Sequence, residues 1–132
     1  MSQENLELVR RCFAALEAGH RDEALATLDP AIEWIAVPGL LPDAEDFVGH
    51  AGVTKWFSKM DDAWAELRFD PQELLDAGDQ VVAVVAVSGR GKSSGILAEG
   101  LLYQVWTARN GLLVRLESYL DRSQALEAAG AS

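Results

Sequence analysis

One cysteine in 132 residues leaves no internal disulfide to form, so the fold must rest on an apolar core. That thiol, Cys12, fits a reducing compartment. No stretch approaches the roughly 20 consecutive apolar residues needed to cross a bilayer. The opening MSQENLELVRR also lacks the basic-then-apolar layout of a secretory signal. Together these absences predict a soluble cytoplasmic protein with no membrane partner. Basic side chains are scarce as well. With 11 Lys and Arg against 21 Asp and Glu, the net charge of −10 argues against nucleic acid, whose phosphates need a cationic surface.

Motifs for bound groups are missing too. GRGKSSG has the GKS that ends a P-loop, but Ala86 stands where its first glycine belongs, and a strand follows instead of a helix. The dinucleotide pattern fails at Ser94. His20 and His50 have no second histidine or cysteine at ligand spacing, so no metal is expected, and no cofactor either. The acidic clusters, Asp43, Glu45 and Asp46, then Asp61 and Asp62, lack the alternation of a calcium loop and read as solvated surface. No glycine-flanked serine suggests a nucleophile elbow.

What is present is hydrophobic patterning, at 49% of residues, enough for one domain over 1–132. Ser2 is a candidate cap for a helix with Leu6, Val9, Phe13 and Leu16 on one face, ended by Gly19. A shorter helix carries Ala24, Leu25 and Leu28 and closes at Asp29-Pro30. AIEWIAVPG alternates like a strand, and a loop with Pro38, Gly39 and Pro42 follows. A third helix starts after Gly49, with Val53, Trp56, Phe57, Met60 and Trp64 as its stripe. Strands then begin at Leu67, where Pro71 implies an edge or a bulge, at Val81, near Ile96 and at Leu112. Asn110-Gly111 marks a hairpin, GRGKSSG a mobile connection, and Asp121 with Gln124 caps a last short helix. The order predicts an α+β fold, a mostly antiparallel sheet backed by helices. VVAVVAV, 81–87, is apolar on both faces, so its outer face needs a cover. A second copy of the chain is the expected one, giving a homodimer.

CFAALEAGHRDEALATLDPAIEW, FVGHAGVTKWF and LLYQVWTARNGLLVRLESYLDRSQALEA resemble the SnoaL-like branch of the nuclear transport factor 2-like superfamily over nearly the whole chain. The resemblance implies a cone, a curved sheet wrapped around three N-terminal helices and enclosing an apolar cavity, often in a dimer packed through outer sheet faces. It also implies relatives as different as ketosteroid isomerases, polyketide cyclases, epoxide hydrolases, dehydratases and non-catalytic domains. Aligned with ketosteroid isomerases, the oxyanion-stabilising tyrosine falls at Cys12, the catalytic aspartate at Ile35 and the proton-donating aspartate at Tyr103. Ile35 cannot take a proton, and a thiol is a poor donor. Tyr103 keeps a hydroxyl that can donate.

Two residues before Ile35, and on its face of the strand, stands Glu33. That face is expected to turn into the cavity. Glu33 there would either brace the interior through partners or move protons with a raised pKa. Glu99 is the second carboxylate expected at the opening, on a strand face shared with Leu101, Tyr103 and Val105. Cys12, Ile35, Trp56, Leu101, Leu116, Ser118 and Leu120 are the expected walls, while Leu102, Gln104, Trp106, Arg115, Glu117 and Tyr119 are expected to point outward. Three functions fit: a cavity binding a hydrophobic small molecule; a cofactor-independent isomerase or cyclase with Glu33, Tyr103 and Glu99 as its chemistry; or a structural dimer with a filled core.

Overall fold

Helical spacing of Val9, Phe13 and Leu16 packs the first helix on the sheet, and a left-handed glycine stops it. The structure, a computed structural model, describes residues 2–35 and 46–130. Helix α1 (Ser2–Glu17) buries Leu8, Val9, Cys12 and Phe13. It ends at Gly19, φ 78°, where the His20 N–H donates to Ala15 O at 2.8 Å. Helix α2 (Arg21–Leu25) and strand β1 (Leu28–Ile35) follow. A short strand β2 (Asp46–Val48) then leads into helix α3 (Gly49–Ala63). The rest is strands β3 (Trp64–Ala77), β4 (Gln80–Gly91), β5 (Leu97–Arg109) and β6 (Leu112–Tyr119), then helix α4 (Arg122–Ala128).

The strands form one curved six-stranded sheet in the order β2-β1-β6-β5-β4-β3, antiparallel except where β1 meets β6. This is the expected α+β architecture. Pro71 sits on the edge strand β3, and the β3–β4 register shifts just after it. Asn110 (φ 53°) and Gly111 (φ 78°) make the β5–β6 turn with the left-handed pair such hairpins need. The Asp121 carboxylate accepts from the Ser123 N–H at 2.8 Å and so caps α4.

Three local expectations change. Leu28, Asp29 and Pro30 open β1 instead of closing α2. Trp64 begins β3 in extended backbone instead of continuing α3. GRGKSSG is a bonded hairpin in place of a mobile connection: Gly91 N–H donates to Ile96 O (3.1 Å), and Gly95 N–H to Gly91 O (2.8 Å). The β2 strand had no separate expectation. The Ser2 side chain, Ala36, Val37, the loop with Pro38, Gly39 and Pro42, and Asp43 and Glu45 lie outside the described residues.

The main core lies between the helices and the inner sheet face. A second, smaller core lies on the outer face, where Ala125 and Ala129 of the C-terminal segment pack on Val82 and Val105, flanked by Leu75, Tyr103 and Tyr119. VVAVVAV is therefore buried on both sides at Val82, where the chain's own α4 supplies a cover over part of the outer face. Among the described residues no helix is long and apolar enough to cross a membrane.

Ala125→Asp puts a charge into that fully buried contact without a partner. It should cost about 3 kcal/mol in urea denaturation.

Candidate functional site

In β1, alternation gives two faces, one with Ile32 and Trp34, the other with Glu33 and Ile35. Residues paired across strands share a face. Trp34 pairs with Leu116, Leu116 with Trp106, and Trp106 with Val81, and this row faces the helices. Ile32, Trp34, Trp106 and Leu113 are buried accordingly.

Against this row the sheet and helices leave a hollow of about 320 Å³. All four tryptophans, Trp34, Trp56, Trp64 and Trp106, line it, as do three of the four phenylalanines, Phe13, Phe57 and Phe69. The rings touch in sequence, with centroids 5.8 Å apart for Phe13–Trp106, 5.7 Å for Trp106–Trp34, 5.2 Å for Trp34–Trp56 and 5.9 Å for Trp56–Phe69. Most meet edge to face or tilted, the arrangement favoured by ring quadrupoles. Such mutual support holds large side chains around a space instead of letting them collapse into it. Two other clefts, about 530 and 440 Å³, are lined mainly by small, polar and charged residues at the surface and offer no comparable apolar wall.

The cavity has a few placed polar groups. Gln104, 6% exposed, accepts at Oε1 from Trp106 Nε1–H at 3.1 Å. Indole nitrogen only donates, so this bond fixes the carboxamide orientation and leaves the Gln104 NH₂ as a donor with no partner among the described residues. Ser118, its pairing neighbour on β6, lines the same floor. The buried Trp56 Nε1 has no acceptor either. At the mouth, Arg21 grips Asp61 through two bonds of 2.8 Å and lies 4.7 Å from the Phe57 ring centroid. Arg21 holds the Asp61 carboxyl below its usual range, and Asp61 raises the guanidinium in turn. Glu66 completes the rim.

Of the expected walls, Trp56, Leu116 and Ser118 line the hollow. Glu33 does not. Its side chain is 57% exposed on the outer face, where the Arg115 Nη1–H lies 3.4 Å from its carboxylate. Arg115 also reaches Glu117 at 3.4 Å, and Tyr119 Oη donates to Glu117 at 2.6 Å. Desolvation, then the Glu117 carboxylate, pushes the Tyr119 phenol up to about 12. Arg115, Glu117 and Tyr119 thus point outward as expected.

On β5 the expected faces exchange. Leu102, Gln104 and Trp106 look into the cavity, and Glu99, Leu101 and Tyr103 lie on the other side with Val105. Leu101 is 48% exposed, and Tyr103 packs in the cluster under α4. Ile35 shares the outer face with Glu33. Leu120 lies beyond the end of β6 and is 64% exposed. Cys12 is buried in the α1 side of the core, outside the cavity lining. The physical reason is area. Either face of β1 and β5 is apolar enough to be inner, and the face carrying a tryptophan gains more by burial. Arg21, Asp61, Glu66 and Gln104 were not foreseen in the site; the clustering of aromatic rings was the available signal.

Comparison with known proteins agrees with this architecture. The SnoaL-like domain model matches residues 9–116. A nuclear transport factor 2-like protein from Burkholderia xenovorans is 29% identical, with 98% of each chain covered and a TM-score of 0.80. A protein of the same class and unknown function from Burkholderia pseudomallei is 23% identical, with 94% of this chain and 95% of that one covered and a TM-score of 0.81. TerC, co-crystallised with polyporic acid, is 22% identical, with 96% and 98% covered and a TM-score of 0.80. No curated protein matches the chain.

Burial pushes the Cys12 thiol up from 9.0 to about 11, with a Thr27 hydrogen bond offsetting part of the rise. The unfolded chain loses this proton first as pH rises, so the stability it contributes is complete below pH 9 and lost toward pH 11. Urea denaturation should show a loss of about 2–3 kcal/mol across that window that is absent in Cys12→Ala.

Proposed function

The chain belongs to the SnoaL-like domain family, and we propose that it binds a flat, largely apolar small molecule bearing an acceptor oxygen. The observation that carries this reading is the aromatic hollow of about 320 Å³ with the Gln104 amide donor in its floor. That volume falls within the usual range of ligand sites, which favours an open cavity over a filled structural core. The rings supply apolar contact, and Gln104 with Ser118 supplies orientation. TerC, a protein of the same fold, was co-crystallised with polyporic acid, which suits the fold's use as a container.

The isomerase or cyclase reading draws less support. Glu33, Glu99 and Tyr103 lie off the cavity face. A carboxylate able to move a proton inside it would be Asp61 or Glu66, and Asp61 is already committed to Arg21. The homodimer remains part of the proposal. Leu97 and Leu101 stay exposed on β5, beside the part of the outer face that α4 covers, and a second copy would bury them.

Isothermal titration with acetophenone and its hydrocarbon counterpart isopropylbenzene separates the two contributions. The native protein should bind both, preferring the ketone about fivefold, the worth of one hydrogen bond. Gln104→Leu should abolish the preference and keep the hydrocarbon. Failure of either compound to bind the native protein at millimolar concentration would refute the container reading.

A further inference from the structure

The rim of the cavity holds one exposed, charged side chain that no group among the described residues neutralises, and the backbone is bent to put it there. Glu66 has φ 56°, the left-handed region, which is unfavourable for a side-chain-bearing residue and is normally left to glycine or asparagine. Ala65 pairs with Arg90 and Arg68 with Ser88, so Glu66 and Leu67 together oppose the single residue Gly89. This is a β-bulge, a device that re-aims a side chain. Gly89 permits it: a Cβ there would meet Leu67 Cδ1 at 3.0 Å and the Trp64 ring at 3.2 Å. The irregularity is built into both strands, and it sets Trp64, Glu66 and Leu67 together in the cavity wall. Strain retained at such a point is a mark of use.

The other charges nearby are already matched. Both Arg21 bonds go to Asp61, and Lys92 acts on Asp61 from outside the lining. Arg68 donates to Glu17 at 3.0 Å. Glu66 has no hydrogen bond or ion pair among the described residues. Seven aromatic rings share the hollow with this free carboxylate. Ring faces attract cations, tryptophan most strongly, and the carboxylate and the chain's net charge of −10 act in the same direction.

The geometry points to a ligand with a positively charged ammonium end, seated on tryptophan at the cavity mouth with Glu66 as its counter-ion. This rests on the cavity reading above and adds the charge class: an acceptor oxygen meets Gln104 at the floor, and the cation meets Glu66 at the rim.

Two probes of one shape test it: para-tert-butylbenzyl alcohol and its para-trimethylammonio counterpart, which differ in charge alone. Titrated calorimetrically into the full chain at low salt, the ammonium probe should bind about tenfold tighter. Glu66→Gln should cut that ratio to about threefold or less, with the neutral alcohol unchanged. Glu66→Asn, which suits a left-handed position and preserves the bulge, should do the same. Equal binding of the two probes by the native protein overturns the assignment of charge class, as does a ratio that survives both substitutions; the cavity reading then stands on the alcohol. Binding of neither probe overturns both.

Discussion

Trp34 is the residue on which the architecture turns. Its ring meets Trp56, Phe57 and Trp106 at 5.2, 6.5 and 5.7 Å. Side chains paired across a sheet lie on one face, so placing Trp34 inward also places Leu116, Trp106 and Val81 inward. The neighbouring row, Glu33, Arg115 and Thr107, is thereby sent outward. One choice of face in β1 propagates through four strands. It decides which side chains line the hollow and which form the charged outer surface.

The consequence is a cavity with unlike ends. Its floor is the sheet, where Trp106 fixes the Gln104 amide and Ser118 stands beside it. Its mouth is formed by α2, α3 and the irregular start of β3, where Arg21 and Asp61 clasp and Glu66 has no partner among the described residues. Between them are rings held apart by their own edge-to-face contacts. Such a wall is stiff, and a stiff wall binds without first having to be ordered. The chain's C-terminal helix serves the same end from outside, supporting β4 and β5 at Val82 and Val105.

Much of this was legible in the sequence, and the rest fails for identifiable reasons. Helix spacing, the Asn110-Gly111 turn, the Asp121 cap and the edge position of Pro71 each follow from local chemistry, and the structure retains them. The cavity itself was implied by family resemblance. The faces of β1 and β5 were not legible from alternation, because Ile35 is as apolar as Ile32 and Leu101 as Leu102. Ring size breaks that tie: Trp34 and Trp106 outweigh their neighbours. Trp56, Leu116 and Ser118 fall on the cavity side, where the α3 stripe and the β6 alternation direct them. The Arg21–Asp61 clasp joins residues 40 positions apart, and the Glu66 bulge depends on Gly89 in the adjacent strand. Neither leaves a trace in local sequence.

Ligand binding requires the hollow behind Trp34 to be open. Xenon settles among apolar side chains that leave a space between them and is visible by its anomalous scattering. Diffraction from a crystal pressurised with xenon should show bound atoms among Trp34, Trp56, Phe69 and Leu102. No xenon there, with the rings collapsed on one another, would contradict the account at its centre.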